Sequence, residues 1–121
     1  STYFNCTNLT GSPICGPNVT GMQFAYQNCK NLGHNGYFYS NKVSGVQNCF
    51  CGKDNSRRLN LYVPANSTTL TTCLYNNAQS LVGTNITWTS DTANNRYYNT
   101  AQNIYIYPVA NVEQVYKNNE K

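Results

Sequence analysis

Apolar positions recur along this chain at two spacings, and each spacing predicts its own element. Met22, Ala25, Tyr26, Cys29 and Leu32 fall three or four residues apart, the period of one face of a helix. Thr20 with Gln23 three residues later makes a capping box, and Val19 and Phe24 take the staple positions around it. Gly33 is placed to end the helix. The pattern predicts a helix over 21–32 with Cys29 on its buried face. Downstream the period drops to two. Residues 36–40 ("GYFYS") and 46–52 ("VQNCFCG"), joined by "NKVSG", predict a β-hairpin.

Three further strands follow: 59–63 ("LNLYV"), stopped by Pro64; 84–90 ("TNITWTS"); and 103–109 ("NIYIYPV"). The last is the clearest, with Ile104 and Ile106 on one face and Tyr105 and Tyr107 on the other. Residues 65–83 read as a short helix or loop around Cys73, and 91–100 as a polar loop. Residues 1–21, rich in turn formers, read as irregular chain, and no internal repeat stands out.

With 121 residues the chain has the length of one domain with a modest core. We place that domain at 1–116 and read 117–121 as a polar tail leading toward a stalk. The start, "STYFN", has the look of a mature N-terminus after removal of a signal peptide. Only 10% of the residues are charged, so solubility rests on neutral polar groups or attached sugar. Sequons stand at Asn5, Asn8, Asn18, Asn66 and Asn85. With six cysteines they point to the secretory pathway and an extracellular location at the cell surface or wall. No CxxC pair is present and His34 is the sole histidine, which argues against a structural zinc site and for three disulfides. No cofactor is implied. No apolar run approaches the roughly 18 residues of a membrane span, so membrane contact runs through a segment outside this chain. The net charge of +4 is scattered, which argues against nucleic-acid binding.

On a strand, Cys49 and Cys51 share one face and do not converge on each other. A nested scheme joins them to Cys29 and Cys15 and leaves Cys6 with Cys73. It is one of the fifteen connectivities that six cysteines allow. Each bridge would add roughly 2–4 kcal/mol to a thin core.

The run "CKNLGHNGYFYSNKVSGVQNCFCG" resembles the middle of a WSC domain, the cysteine-rich head of fungal cell-wall stress sensors, related in fold to PAN/apple modules. The features that carry it are Cys29 with Gly33, the strand Gly36-Tyr37-Phe38-Tyr39, and Cys49-Phe50-Cys51-Gly52; "NIYIYPV" is similar to the family's last strand. The chain departs from the pattern at Ala25, Asn77 and 81–83, where the family has further cysteines, and in the added segment 84–103. The resemblance implies a small disulfide-rich α+β fold, one α-helix packed on an antiparallel β-sheet. It implies a non-enzymatic surface head that contacts cell-wall polysaccharide, β-glucan or mannan, or clusters by self-association to report wall stress. A wall lectin or adhesin without signalling and a small cationic secreted toxin are the other readings.

Candidate chemistry agrees with a binding module. Asp54, Asp91, Glu113 and Glu120 are the only carboxylates, two of them in the polar C-terminal stretch, and glycosidic cleavage takes two across one bond. His34 lies in a turn, and no cysteine is left over as a nucleophile if all six are bridged. Aromatics are abundant, with eleven Tyr, four Phe and one Trp, and such rings stack on the apolar faces of sugars. Trp88 with Tyr97 and Tyr98 forms the favoured cluster. Tyr105, Tyr107, Tyr39 and Phe50 are the further contact residues, Phe50 as part of an exposed patch. The basic turn "KDNSRR" (53–58) is a second, weaker candidate, for acidic glycan.

Overall fold

Phe24 and Asn28 have φ angles of +61° and +62°, which an α-helix does not admit, and the helix expected over 21–32 is absent. In its place the computed structural model shows consecutive turns. The structure describes residues 5–121; the first four residues of the segment read as irregular chain lie outside it. Within 22–29, Ala25 N–H bonds to the Met22 carbonyl (3.2 Å) and Cys29 N–H to that of Tyr26 (3.1 Å). The intervening donors reach a different stretch of chain. Met22, Phe24, Tyr26 and Asn28 donate to the carbonyls of Gly45, Gln47, Cys49 and Cys51 at 2.8–3.0 Å. Residues 46–52 are therefore a second run of turns stacked on the first, and the expected hairpin is not formed.

The two stretches share a sequence signature. Val19-Thr20-Gly21-Met22-Gln23 recurs as Val43-Ser44-Gly45-Val46-Gln47, and Tyr26 stacks on Phe50 with ring centroids 5.9 Å apart. The expectation of no internal repeat is corrected accordingly. The first two coils take about two dozen residues each and the next, from Leu59 to Ile104, takes 45, each laid on the last as in a short solenoid.

The opposite wall of the coils is a sheet. Strands β1 (Ile14–Cys15), β2 (Asn35–Phe38), β3 (Leu59–Pro64) and β6 (Ile104–Val109) run parallel, one strand per coil. Strands β4 (Thr89–Asp91) and β5 (Arg96–Asn99) form a hairpin that extends β6 antiparallel, giving the order β1-β2-β3-β6-β5-β4. Helix α1 (Thr68–Cys73) is capped by Ser67, whose hydroxyl accepts the Leu70 N–H. Helix α2 (Val112–Asn119) is capped by Asn111 and crosses the boundary drawn between domain and polar tail. The protein is thus an α+β domain. Its sheet is mixed, four strands of it parallel, where an antiparallel sheet under one helix was expected.

Parallel strands enclosed by coils present one face inward. Leu59, Leu61 and Val63 of β3 and Ile104 and Ile106 of β6 are buried, and Phe38, Val43, Val46, Phe50 and Leu81 fill the interior with them. Burying such residues supplies most of the folding drive, at about 25 cal/mol per Å² of apolar surface. The division expected for 103–109 holds: isoleucines inside, Tyr105 and Tyr107 outside and half-buried. Where buried backbone turns a corner, hydroxyls satisfy it. Thr69 donates to the Ser40 carbonyl (2.6 Å) and accepts the Val43 N–H (3.0 Å).

Cys15, Cys49 and Cys73 are buried and Cys51 is partly exposed, and no bridge joins these four in the structure. Cys29 lies against Cys6 on one side and close enough to act on Cys49 across the stacked turns on the other. Burial raises the Cys15 thiol to about 11 and Cys49 well above its ordinary value, with the Cys73 thiol raising Cys49 further.

Candidate functional site: an uncharged cleft beside Trp88

The β4–β5 hairpin leans over the loop that follows α1, and an open cleft of about 590 Å³ lies between them. Trp88 and Tyr97 form its aromatic walls and Leu74 with Ile86 its apolar floor. Polar groups come from the amides of Asn76, Asn77 and Asn85 and the hydroxyls of Thr87 and Ser90. None of these nine residues carries a charge. Trp88 is fixed by its indole N–H, which donates to the Tyr75 carbonyl (3.2 Å). The segment around it is held by Ile86 N–H on the Asn76 carbonyl (3.2 Å) and by Asn99 Nδ2 on that of Thr87 (2.8 Å).

Strand alternation decides which expected residues reach the cleft. Tyr97 stands opposite Ile106 in the ladder and turns to the cleft side, while Tyr98 stands opposite Tyr105 and turns to the outer face. The structure therefore joins Trp88 to Tyr97 and separates Tyr98 from both. Segment 91–100, expected from the sequence to be a polar loop, carries β5.

On the outer face the tyrosines cover one another. Tyr98 stacks on Tyr105 at 5.4 Å, and the Arg58 guanidinium lies over the Tyr105 ring at 3.6 Å. Tyr37, Tyr62 and Tyr107 form a second stack across β2, β3 and β6, at 5.6 and 5.0 Å. Arg58 and Arg96 both donate to the Tyr107 hydroxyl (2.9 and 3.1 Å). Ring faces engaged in this way offer a ligand edges and hydroxyls, not a stacking platform. Tyr39 packs its edge near Tyr116 of α2 (6.4 Å). Phe50, expected in an exposed patch, is 1% exposed and belongs to the core. It points inward because 46–52 is a stack of turns, not a strand.

The basic turn is also turned inward. Lys53 Nζ donates to the carbonyls of Asp54 (3.1 Å), Gln102 (2.9 Å) and Arg57, and Arg57 donates to the Leu32 carbonyl (2.9 Å). Each carboxylate has a partner away from the cleft. Asp91 pairs with Arg96 (2.8 Å), Glu113 with Lys117 (3.7 Å), Glu120 accepts from Tyr37 Oη (2.6 Å), and Asp54 accepts from Ser56 (2.8 Å). The Asn94 amide, then Arg96, holds Asp91 below the usual carboxylate range, and Ser56 does the same for Asp54. Among the described residues no cluster of three or more His, Cys, Asp or Glu could hold a metal ion, and no helix is long and apolar enough to cross a membrane.

Asn76, Asn77 and Ser90 were not foreseen as site residues, and Asn85 was expected as a sequon and not as part of a binding cleft. A cue was available at Asn85, since its sequon adjoins Trp88 in the sequence. Comparison of the chain with protein-family models, with curated proteins and with solved structures finds no match.

Proposed function

We propose that this chain is a non-enzymatic extracellular module that binds neutral cell-wall polysaccharide in the Trp88–Tyr97 cleft. The observation that carries this reading is the composition of the cleft: two aromatic walls, three amides, two hydroxyls and no charge. A sugar ring has apolar C–H faces that suit an aromatic wall, and hydroxyls that suit amides and hydroxyls. A charged substrate would find no counter-charge there. The placement of all four carboxylates outside the cleft supports a binding role over glycosidic cleavage, which needs a carboxyl pair across the bond.

The setting, a fungal cell surface, is the one the WSC resemblance implies. The residues that carry that resemblance lie on stacked turns and parallel strands, not on a helix and hairpin, so the reading rests on the cleft itself. The test is co-sedimentation of the purified domain with insoluble β-glucan, chitin and mannan-rich wall, beside Trp88→Ala. Saturable binding lost in the variant supports the reading. A folded domain that binds none of these polymers overturns it.

A further inference from the structure

We propose that Cys6 and Cys29 form a disulfide that staples the first coil onto the second. This is a covalent modification site independent of the sugar cleft.

The ladder fixes the register from both sides. On the N-terminal side, Asn5 N–H donates to the Gln27 carbonyl (2.8 Å), and the Asn28 side-chain amide donates to Asn5 Oδ1 (2.8 Å). These bonds set Asn5 beside Asn28, both with φ near +60°. On the C-terminal side, Asn31 Nδ2 donates to the Thr7 carbonyl (2.7 Å) and Gly33 N–H to that of Gly11 (2.9 Å). Further along, Ile14 pairs with Tyr37 and Cys15 with Phe38. Asn5 with Asn28 and Ile14 with Tyr37 are both 23 residues apart, so no net insertion falls between them and Cys6 stacks on Cys29. Neighbouring parallel strands lie about 4.8 Å apart, inside the Cα separation of about 4.4–6.8 Å that a disulfide spans. The Cys6 thiol and backbone both act on the Cys29 thiol, in keeping with that stacking.

Exposure assigns the order of events. Cys6 is exposed and Cys29 is 2% exposed. With oxidised glutathione as oxidant, the Cys6 thiolate attacks one glutathione sulfur, forming a mixed disulfide and releasing one glutathione thiol. The Cys29 thiolate then attacks the Cys6 sulfur, and the second glutathione leaves. Two protein thiols lose two electrons and two protons, and one glutathione disulfide becomes two thiols. The staple ties down the coil whose strand, β1, is two residues long.

The experiment oxidises the reduced, folded protein with glutathione disulfide, alkylates remaining thiols, removes N-glycans and digests with chymotrypsin. Cleavage after Leu9, Tyr26 and Leu32 separates the Cys6 peptide from the Cys29 peptide. A linked Cys6–Cys29 peptide in the mass spectrum is expected. Cys29 joined to Cys49 or Cys51, Cys6 joined to Cys73, or Cys6 left glutathionylated with Cys29 alkylated overturns the proposal. Because a Cys29 substitution would disturb buried packing, the supporting variant is Cys6→Ser at the exposed end. Reductant is expected to lower the melting midpoint of the oxidised protein by about 10 °C more than that of Cys6→Ser. Equal drops in the two proteins also overturn it.

Discussion

Tyr97 and Tyr98 are adjacent in the chain and lie on opposite faces of β5, Tyr97 in the wall of the cleft and Tyr98 stacked on Tyr105 at 5.4 Å. Their substitution therefore has different signatures in binding. Tyr97→Ala is expected to weaken polysaccharide binding about tenfold, and also to cost some stability because the ring packs against the core. Tyr98→Ala is expected to leave binding intact and lower stability by about 1–2 kcal/mol, through loss of the ring stack and of the Arg96 contact at 5.8 Å. Binding isotherms and urea denaturation on the two variants check this. The same effect on binding from both would show that the cleft is not the binding surface.

The sequon Asn85-Ile86-Thr87 lies wholly within the lining of the cleft. An N-glycan at Asn85 therefore grows from the wall that an incoming sugar would use. In protein from a glycosylating host, Asn85→Gln is expected to raise binding about tenfold, and Asn18→Gln, at an exposed sequon away from the cleft, to leave it unchanged. Mass spectrometry establishes occupancy. Equal binding by Asn85→Gln and by protein fully glycosylated at Asn85 would contradict the arrangement.

Gly52 holds φ at +81°, and a Cβ there would sit 2.0 Å from Asn28 Oδ1. That amide belongs to the stack Asn5–Asn28 that locks the turns of successive coils. Gly52→Ala is expected to cost about 2 kcal/mol or more, from left-handed strain and displacement of the amide. Gly11→Ala, with nothing within 4 Å of the added carbon, is expected to stay within about 0.5 kcal/mol. Chemical denaturation of the pair measures the difference, and equal costs would mean that the asparagine stack is not a constraint.

The failure at 21–32 has a definite physical cause. A turn that closes in four residues and then repeats returns side chains to one side every three or four positions, as a helix does. Met22, Ala25, Tyr26 and Cys29 are buried in both arrangements, so the apolar period alone does not separate them. The distinguishing signal was the spacing of Val19-Thr20-Gly21 and Val43-Ser44-Gly45, a repeat of about two dozen residues that only a coil explains. Strand β6 was legible because one face is buried and the other is not, which writes itself as strict alternation. Helix α2 was not, because Val112 is its one buried residue and its signals are an Asn111 cap and the exposed Glu113–Lys117 pair. Trp88 and Tyr97 were found by composition, and the amides opposite them were not, because loops separated in sequence meet only through the fold.

Lys53 supplies a pH dependence with a fixed sign. Burial draws its ammonium down from 10.5 to about 8 in the folded protein. Between those values the unfolded chain holds a proton that the folded chain has released, so stability rises with pH across the window. The contribution is full above 10.5 and is lost as the pH falls through 8. Burial also raises Tyr37, Tyr39 and Tyr62, which works in the opposite direction above pH 10, so the comparison is made against Lys53→Met, where those tyrosines cancel. The variant leaves the carbonyls of Asp54, Arg57 and Gln102 without their donor and is expected to be about 2 kcal/mol less stable at pH 7.5. That deficit is expected to widen between pH 7.5 and 10. Urea denaturation of both proteins at pH 7.5, 9 and 10 reads it directly. A deficit that stays constant over this range would mean that Lys53 keeps an ordinary affinity for its proton in the fold.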